Sequence, residues 1–132
     1  MDTPQKKKIL IIEDDRALQN AIVEVLANEG FETVSAFDGQ EGLEKAASEN
    51  PDLILLDIIL PKKDGYEVLE TIKKSPQKDV PALILTNLEE IDNVQRALDL
   101  GATTFMVKSD FSLKDIVEKI RQNLSPRQLP AE

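Results

Sequence analysis

The sequence predicts an α/β domain in which five parallel strands alternate with five helices. Five short apolar runs support this prediction, at residues 9–12, 33–37, 53–56, 82–85 and 105–107. Continuous apolar runs of this length are typical of strands that are buried on both faces of a parallel sheet. Because strand and helix alternate strictly, the crossovers are expected to be right-handed and to place helices on both faces of one doubly wound sheet.

The segments between and after these runs each have one apolar face at helical spacing, which predicts five amphipathic helices. The residues on these faces are Leu18, Ile22, Val25 and Leu26; Leu43, Ala46 and Ala47; Val68, Leu69 and Ile72; Ile91, Val94 and Leu98; and Ile116, Ile120 and Leu124.

Residues that start and stop helices stand at the matching positions. Gly30 and Gly101 lie where the first and fourth helices should end, and Asn50 with the proline after it should end the second. Asp38 and Ser112 are each followed three residues later by an acid, a spacing that predicts a capping box at the start of the second and fifth helices.

The length of 132 residues fits a single domain, which we expect to cover residues 1–124. Residues 125–132 contain two prolines and are expected to form a polar tail or the start of a linker.

No apolar run reaches the roughly 20 residues that cross a bilayer. Residues 1–8 lead into a short apolar stretch that ends in acids, unlike a signal peptide. A cytoplasmic protein is therefore expected.

The composition restricts the chemistry. The formal net charge of −9 would repel nucleic-acid phosphates, so direct nucleic-acid binding is not expected. The absence of Cys excludes disulfides and zinc–thiolate sites, and the absence of His removes the usual general base. Carboxylates, hydroxyls and lysines remain, which leaves an acidic nucleophile or a hard cation such as Mg²⁺ bound by oxygen ligands.

Polar residues follow four of the predicted strands, at the edge of the sheet where sites of such folds lie. Glu13 and Asp14 follow the first strand, and Asp57, Thr86 and Lys108 follow the third, fourth and fifth. Carboxylates held close together raise one another's pKa values unless a cation is present, and Mg²⁺ suits such a group. Asp57 could then attack phosphorus to form an acyl phosphate, with Thr86 and Lys108 completing the site.

Each of these residues also has an ordinary structural explanation. Acids favour helix N-termini, Asp and Thr form turns at strand ends, and a lysine is usually a solvated surface charge. The occurrence of all of them at strand ends favours a functional site.

Four segments carry a pattern that extends over nearly the whole chain. They are ILIIEDD at 9–15, DLILLDIILPKKDGYEVL at 52–69, ALILTN at 82–87 and GATTFMVKSDF at 101–111. Together they resemble the receiver domains of two-component response regulators. The resemblance implies a flavodoxin-like sheet with strand order 2-1-3-4-5 and a role in phosphorelay signal transduction.

The resemblance also assigns the site. Glu13 and Asp14 match the acidic metal pair, Asp57 matches the phospho-acceptor, and Ile59 would add a backbone carbonyl as a further ligand to Mg²⁺ or Mn²⁺. Pro61 and the glycine at position 65 match the loop after the acceptor. Because the chain has no His, the phosphohistidine donor must be another protein, a histidine kinase or a phosphotransfer protein.

A switch is implied as well. Thr86 matches the switching hydroxyl, Lys108 the charge partner, and Phe105 the aromatic residue whose rotamer reports activation, although core packing explains Phe105 equally well. The face formed by the fourth helix, fifth strand and fifth helix would then contact an output domain, a downstream protein or a second copy of the chain.

Two positions depart from the family pattern. Asn87 replaces the usual small residue after the switching hydroxyl and could crowd or hydrogen-bond the phosphoryl pocket. Ser109 replaces the usual proline after Lys108. Since a non-proline cis peptide costs about 2.5 to 4 kcal/mol, the bond between Lys108 and Ser109 is predicted to be trans, with Ser109 capping the fifth helix.

Three alternatives bear on the function. Haloacid-dehalogenase-type phosphatases place a second Asp two residues after the nucleophile, where this chain has Ile59. A nucleotide- or flavin-binding fold would need a glycine-rich first loop in place of the acids at 13–15. A degenerate receiver that acts as a phosphorylation-independent docking module stays open. The expected function is that of a phospho-accepting signalling domain and not of an enzyme.

Overall fold

A computed structural model describes residues 6–58, 60, 64–87, 94–110 and 112–124 of the chain. In these ranges five strands alternate with five helices, as predicted. The elements are β1 Lys8–Ile12, α1 Arg16–Asn28, β2 Glu32–Ala36, α2 Gly39–Glu49, β3 Leu53–Asp57, α3 Gly65–Lys73, β4 Ala82–Thr86, α4 Val94–Asp99, β5 Thr104–Val107 and α5 Leu113–Asn123, with a 3₁₀ turn at Lys108–Asp110 before α5.

The strands form one sheet in the order β2-β1-β3-β4-β5, and every neighbouring pair is parallel. This confirms the predicted doubly wound, flavodoxin-like topology. The predicted second strand was placed one residue too late, and the other strands each extend one residue beyond the predicted range at one end. Among the described helices, none is long and apolar enough to cross a membrane.

The sheet separates two apolar cores, because successive strand residues point to opposite faces. Leu10 and Ile12 of β1 pack into the core that also contains residues of α2, α3 and α4. Ile9 and Ile11 pack into the core formed with α1 and α5. Both faces of β1, β3 and β4 are therefore buried, which explains their apolar runs, whereas the edge strands β2 and β5 are only partly buried.

The predicted helix ends are largely confirmed. Gly30 and Gly101 have φ values of 93° and 112°, in the left-handed region that glycine adopts at little cost, and Asn50 caps α2 with a φ of 48°. Ser112 forms the predicted capping box at the start of α5. The predicted cap by Ser109 was wrong, because this residue lies in the 3₁₀ turn before α5.

The box predicted at Asp38 is only half formed. Its side chain accepts from the N–H of Glu41, but the Glu41 carboxylate accepts from the N–H of Phe37, one residue earlier than in a box. That hydrogen bond lowers the pKa of Glu41.

Most of the residues on the predicted helical faces are buried or partly buried. Ala47 is exposed, so its assignment to the apolar face of α2 was wrong. Ile91 lies outside the described residues. Gln19 of α1 is fully buried although it is polar, and its burial was not predicted.

Candidate functional site

The carboxyl ends of four strands bring the predicted site residues to one edge of the sheet. Asp57 is the last residue of β3 and Thr86 is the last of β4, while Glu13 and Lys108 directly follow β1 and β5. The parallel register aligns these ends, since Ile12 of β1 pairs with Leu56 next to Asp57. Glu13, Asp57 and Thr86 are almost completely buried.

Three acidic side chains converge at this edge. Glu13, Asp14 and Asp57 each offer one carboxylate oxygen, and these oxygens all lie within 4.8 Å of one another. Asp14 is exposed, whereas the other two are buried. A few carboxylates that leave further positions open to water or phosphoryl oxygens are what Mg²⁺ prefers.

Lys108 lies between the two buried carboxylates. Its Nζ donates a hydrogen bond to Oδ2 of Asp57 at 2.9 Å and lies 3.0 Å from Oε1 of Glu13. Burial alone would lower the pKa of the ammonium, but the hydrogen bond and charge of Asp57, with those of Glu13, outweigh burial and raise it. Lys108 is therefore charged at neutral pH and partly balances the acidic group.

The Glu13 carboxylate is held on both of its oxygens. Oε2 accepts a hydrogen bond from the N–H of Asp15 at 3.0 Å, whereas Oε1 is buried and its partner in the described part of the chain is the Lys108 ammonium, at 3.0 Å, which Asp57 shares. The pKa of Glu13 is raised to about 7, mainly by burial and also by the charge of Asp57, although the Asp15 N–H and Lys108 act in the opposite direction. A divalent cation bound here would balance the remaining negative charge, so these residues fit a Mg²⁺ site.

The start of α3 packs directly against the backbone that follows Asp57. The N–H of Gly65 donates to the carbonyl of Ile58 at 2.7 Å. A Cβ at position 65 would lie 2.5 Å from the Cα of Ile58 and 2.7 Å from the carbonyl oxygen of Asp57. Only glycine permits this approach, which explains physically why the motif has glycine at this position.

The remaining predicted residues lie around this group. The hydroxyl of Thr86 donates to the backbone carbonyl of Asn87 at 3.2 Å. Phe105 is partly buried and packs against the core of α2, α3 and α4. No peptide bond in the described residues is cis, so the bond between Lys108 and Ser109 is trans, as predicted. Ile59 and Pro61, predicted as a metal ligand and a loop residue, lie outside the described residues.

Sequence reasoning missed one polar residue next to the site. Gln19 is fully buried, and its amide nitrogen donates to three backbone carbonyls, one of them that of Glu13 at 3.2 Å. Its spacing could have indicated that it is buried. Gln19 lies three residues before Ile22, so the two residues share a face of α1.

The arrangement supports nucleophilic chemistry at Asp57. A buried carboxylate at the end of the central strand faces an ammonium and lies beside two further acids that could bind a cation. Positive charge on both sides can stabilise a phosphoryl group while the carboxylate attacks it.

Comparison with known proteins gives the chain its family. A family model described as the response regulator receiver domain matches residues 9–121. The chain is 38% identical over 120 residues to the probable transcriptional regulator ycf27 of Porphyridium aerugineum, covering 91% of this chain and 49% of that protein. It is 34% identical over 125 residues to the alkaline phosphatase synthesis transcriptional regulatory protein PhoP of Bacillus subtilis, covering 95% of this chain and 51% of that protein. The chain thus spans about half the length of these curated relatives.

Solved structures share the fold along nearly the whole chain. A CheY-like response regulator receiver domain protein from Methanospirillum hungatei matches with a TM-score of 0.86 and 32% identity, covering 94% of this chain and 97% of that one. The chemotaxis response regulator CheY4 of Vibrio cholerae matches with a TM-score of 0.83 and 27% identity, covering 89% and 98%.

Proposed function

This chain belongs to the response regulator receiver domain family, and on that premise we propose that Asp57 is its phosphoryl acceptor. The domain is a receiver of the two-component type. One observation carries the proposal. Asp57 is buried at the end of the central strand and accepts a hydrogen bond from Lys108, and one of its carboxylate oxygens lies within 4.8 Å of carboxylate oxygens of Glu13 and Asp14. The convergence of these groups gives no support to a degenerate docking module.

In the proposed reaction, a carboxylate oxygen of Asp57 attacks the phosphorus of a phosphohistidine on a partner protein. An O–P bond forms, the N–P bond breaks, and the imidazole leaves with the electron pair and one proton taken up from water, which makes it a neutral ring. Lys108 holds the carboxylate before the attack and can then pair with a phosphoryl oxygen. The products are an aspartyl phosphate on this chain and an unmodified histidine on the donor.

Glu13, Asp14 and Asp57 would hold Mg²⁺, or Mn²⁺ in its place, and Ile59 is proposed to add its backbone carbonyl. When bound, the cation offsets negative charge on the phosphoryl oxygens. The crowding of negative charge supports this assignment, because the buried carboxylates of Glu13 and Asp57 share the single ammonium of Lys108, and a divalent cation would balance the remaining charge.

We further propose that phosphorylation changes the face of α4, β5 and α5. Thr86 ends β4, and Phe105 of the neighbouring strand β5 packs against the core that contains α4 residues. Asn87 directly follows Thr86 and Ser109 directly follows Lys108, and both are proposed to modulate the reaction at Asp57. Hydrogen exchange with and without beryllofluoride tests the switch. Protection changes confined to residues near Asp57 would indicate a passive acceptor.

The proposed partners follow from this chemistry. A histidine kinase or a phosphotransfer protein supplies the phosphoryl group, and the changed face contacts an output domain, a downstream protein or a second copy of the chain.

The receiver is proposed to cover residues 1–124, with 125–132 as a tail or linker. A cytoplasmic location belongs with this proposal, because the ATP that feeds such kinases is there. Beyond phosphorylating itself and losing the phosphoryl group, the domain is proposed to have no enzymatic turnover.

Intact-mass spectrometry after incubation with acetyl phosphate and Mg²⁺ tests the acceptor. The parent chain should gain the mass of one phosphoryl group, and Asp57→Asn should gain none. Asp52→Asn is the matched control, because Asp52 lies just before β3 at the opposite edge of the sheet, where its carboxylate accepts from the N–H of Lys8. Labelling of Asp57→Asn at the parent's level would show that another residue is the acceptor.

A further inference from the structure

We propose that Gln19 is a positioning residue that fixes Glu13 for binding of the divalent cation. The inference rests on the proposed function, and it assigns a role in that site to a residue of α1 that does not reach the cation itself.

The side chain of Gln19 joins the ends of β1 and β2. Its Nε2 shares two N–H groups among three acceptors, the carbonyl oxygens of Ile11 at 3.1 Å, Glu13 at 3.2 Å and Ala36 at 3.1 Å. Its Oε1 accepts from the hydroxyl of Ser35 at 3.1 Å. Gln19 is fully buried, so within the protein these contacts replace the hydrogen bonds that water would make.

The chemistry of the neighbours fixes the orientation of this amide. Three carbonyl oxygens can only accept, so the NH₂ group must face them, whereas the hydroxyl of Ser35 can donate to Oε1. A flipped amide would place its oxygen against three carbonyls in a buried place, which is strongly unfavourable. Gln19 is therefore held in one orientation.

Glu13 is restrained at three of its polar atoms. Its backbone N–H donates to the carbonyl of Ala36 at 3.0 Å, its own carbonyl accepts from Gln19, and its Oε2 accepts from the N–H of Asp15 at 3.0 Å. The remaining oxygen, Oε1, then points to the group formed with Asp57 and Lys108. Without the Gln19 hydrogen bond, the carbonyl of Glu13, just after β1, would be free to change its orientation.

The same turn of α1 supplies two of these restraints. Asp15 caps the helix by accepting from the N–H of Leu18 at 3.1 Å, and the N–H of Gln19 donates to the carbonyl of Asp15 at 2.9 Å. The first turn of α1 therefore carries both the N–H that holds the Glu13 carboxylate and the amide that holds its carbonyl. Supporting contacts of this kind commonly change metal affinity by about 10- to 100-fold when they are removed.

A plainer role is also consistent with the hydrogen bonds, namely that Gln19 only satisfies carbonyls where β1 and β2 end. That role predicts a loss of stability without a selective loss of metal affinity. The proposal predicts a selective loss, and measuring both quantities on the same variants separates the two roles.

The test variant is Gln19→Met, which keeps the length of the side chain and removes the donors. Mg²⁺ binding is measured by isothermal titration calorimetry, and thermal unfolding is measured without metal. We expect Mg²⁺ affinity to fall by about tenfold or more. The control is Ile22→Val, which perturbs the packing of α1 at a fully buried apolar position three residues further on. It should lower the melting temperature and leave Mg²⁺ affinity close to the parent's.

Placing Gln19→Met in a Glu13→Ala background shows whether the effect passes through Glu13. In that background the second substitution should change Mg²⁺ affinity little, because there is no carboxylate left to position. If Gln19→Met does not fold, Ser35→Ala releases the other end of the amide, and a few-fold loss of affinity at a nearly unchanged melting temperature is expected.

The outcomes distinguish this inference from the proposed function. A parent chain that does not bind Mg²⁺ overturns both. A parent that binds Mg²⁺, with Gln19→Met or Ser35→Ala binding it equally well, overturns the role of Gln19 alone. An equal loss of affinity in the Glu13→Ala background would also overturn it, because the effect would not pass through Glu13.

Discussion

Replacing Glu13 with glutamine tests how the buried acidic group affects the metal-free protein. The substitution keeps the shape of the side chain and removes its ionisation. We expect Glu13→Gln to have nearly constant stability where the parent loses stability with rising pH, because the metal-free parent must keep two charged carboxylates buried beside one ammonium.

The size of this effect follows from the pKa of Glu13, which is 4.5 for an unperturbed side chain and about 7 in the folded protein, mainly because of burial. When folding raises the pKa of an acid, that acid makes its full contribution to the free energy of unfolding only below its pKa in the unfolded state. The contribution declines as the pH rises and is lost above its pKa in the folded state. Since one pKa unit corresponds to about 1.4 kcal/mol, the parent should lose about 3 kcal/mol between pH 4.5 and about pH 8 relative to the variant.

Urea unfolding at several pH values with EDTA present measures this difference. Glu24→Gln, which removes an exposed charge from α1, is the control and should follow the pH dependence of the parent. Mg²⁺ at about 100 times its dissociation constant should then stabilise the parent by about 2.7 kcal/mol and the Glu13→Gln variant much less. If the unfolding free energies of parent and Glu13→Gln stay parallel across this range, the burial argument for Glu13 is refuted.

Two further substitutions test the rest of the site. Asp14→Ala should weaken Mg²⁺ binding markedly, because it removes one of three converging carboxylates, and unchanged binding in a calorimetric titration would remove Asp14 from the set of ligands. Gly65→Ala should destabilise the protein by about 1 to 3 kcal/mol in urea unfolding, because the new Cβ would meet backbone atoms of residues 57 and 58. Gly42→Ala is its control and should cost less, since the atoms nearest to its Cβ would be side-chain atoms of Ile12, which can shift more easily than backbone. A larger loss for Gly42→Ala than for Gly65→Ala would contradict the argument.

The sheet and the acidic group could be predicted from the sequence because both depend on order along the chain. Continuous apolar runs locate buried parallel strands, and the residue after each run falls at the same edge of the sheet. Asp57 and Lys108 are 51 residues apart, yet their contact follows from this topology alone. The pKa of Glu13 was expected to rise through repulsion among carboxylates, and burial proves to be the larger cause.

Contacts that depend on competing local partners were only partly predictable. Both Ser109 and Ser112 were predicted to cap α5, and Ser112 caps it because the acid three residues later completes the reciprocal pair of hydrogen bonds. The burial of Gln19 depends on three carbonyls that meet only after β1 and β2 have paired. Helical spacing places Gln19 next to the apolar face of α1, but nothing in the sequence identifies the carbonyls to which its amide donates.

The two cores on either face of the sheet have a consequence for how a change could spread through the domain. The sheet separates the two cores, so a change in the packing of α1 or α5 on one face need not change the packing of α2 or α3 on the other. Strand β5 touches both compartments, because Phe105 packs into one core and Met106 into the other. A shift of this edge strand would therefore change the packing on both faces of the sheet, whereas the buried apolar residues of α1 and α5 belong to one core and those of α2 and α3 to the other.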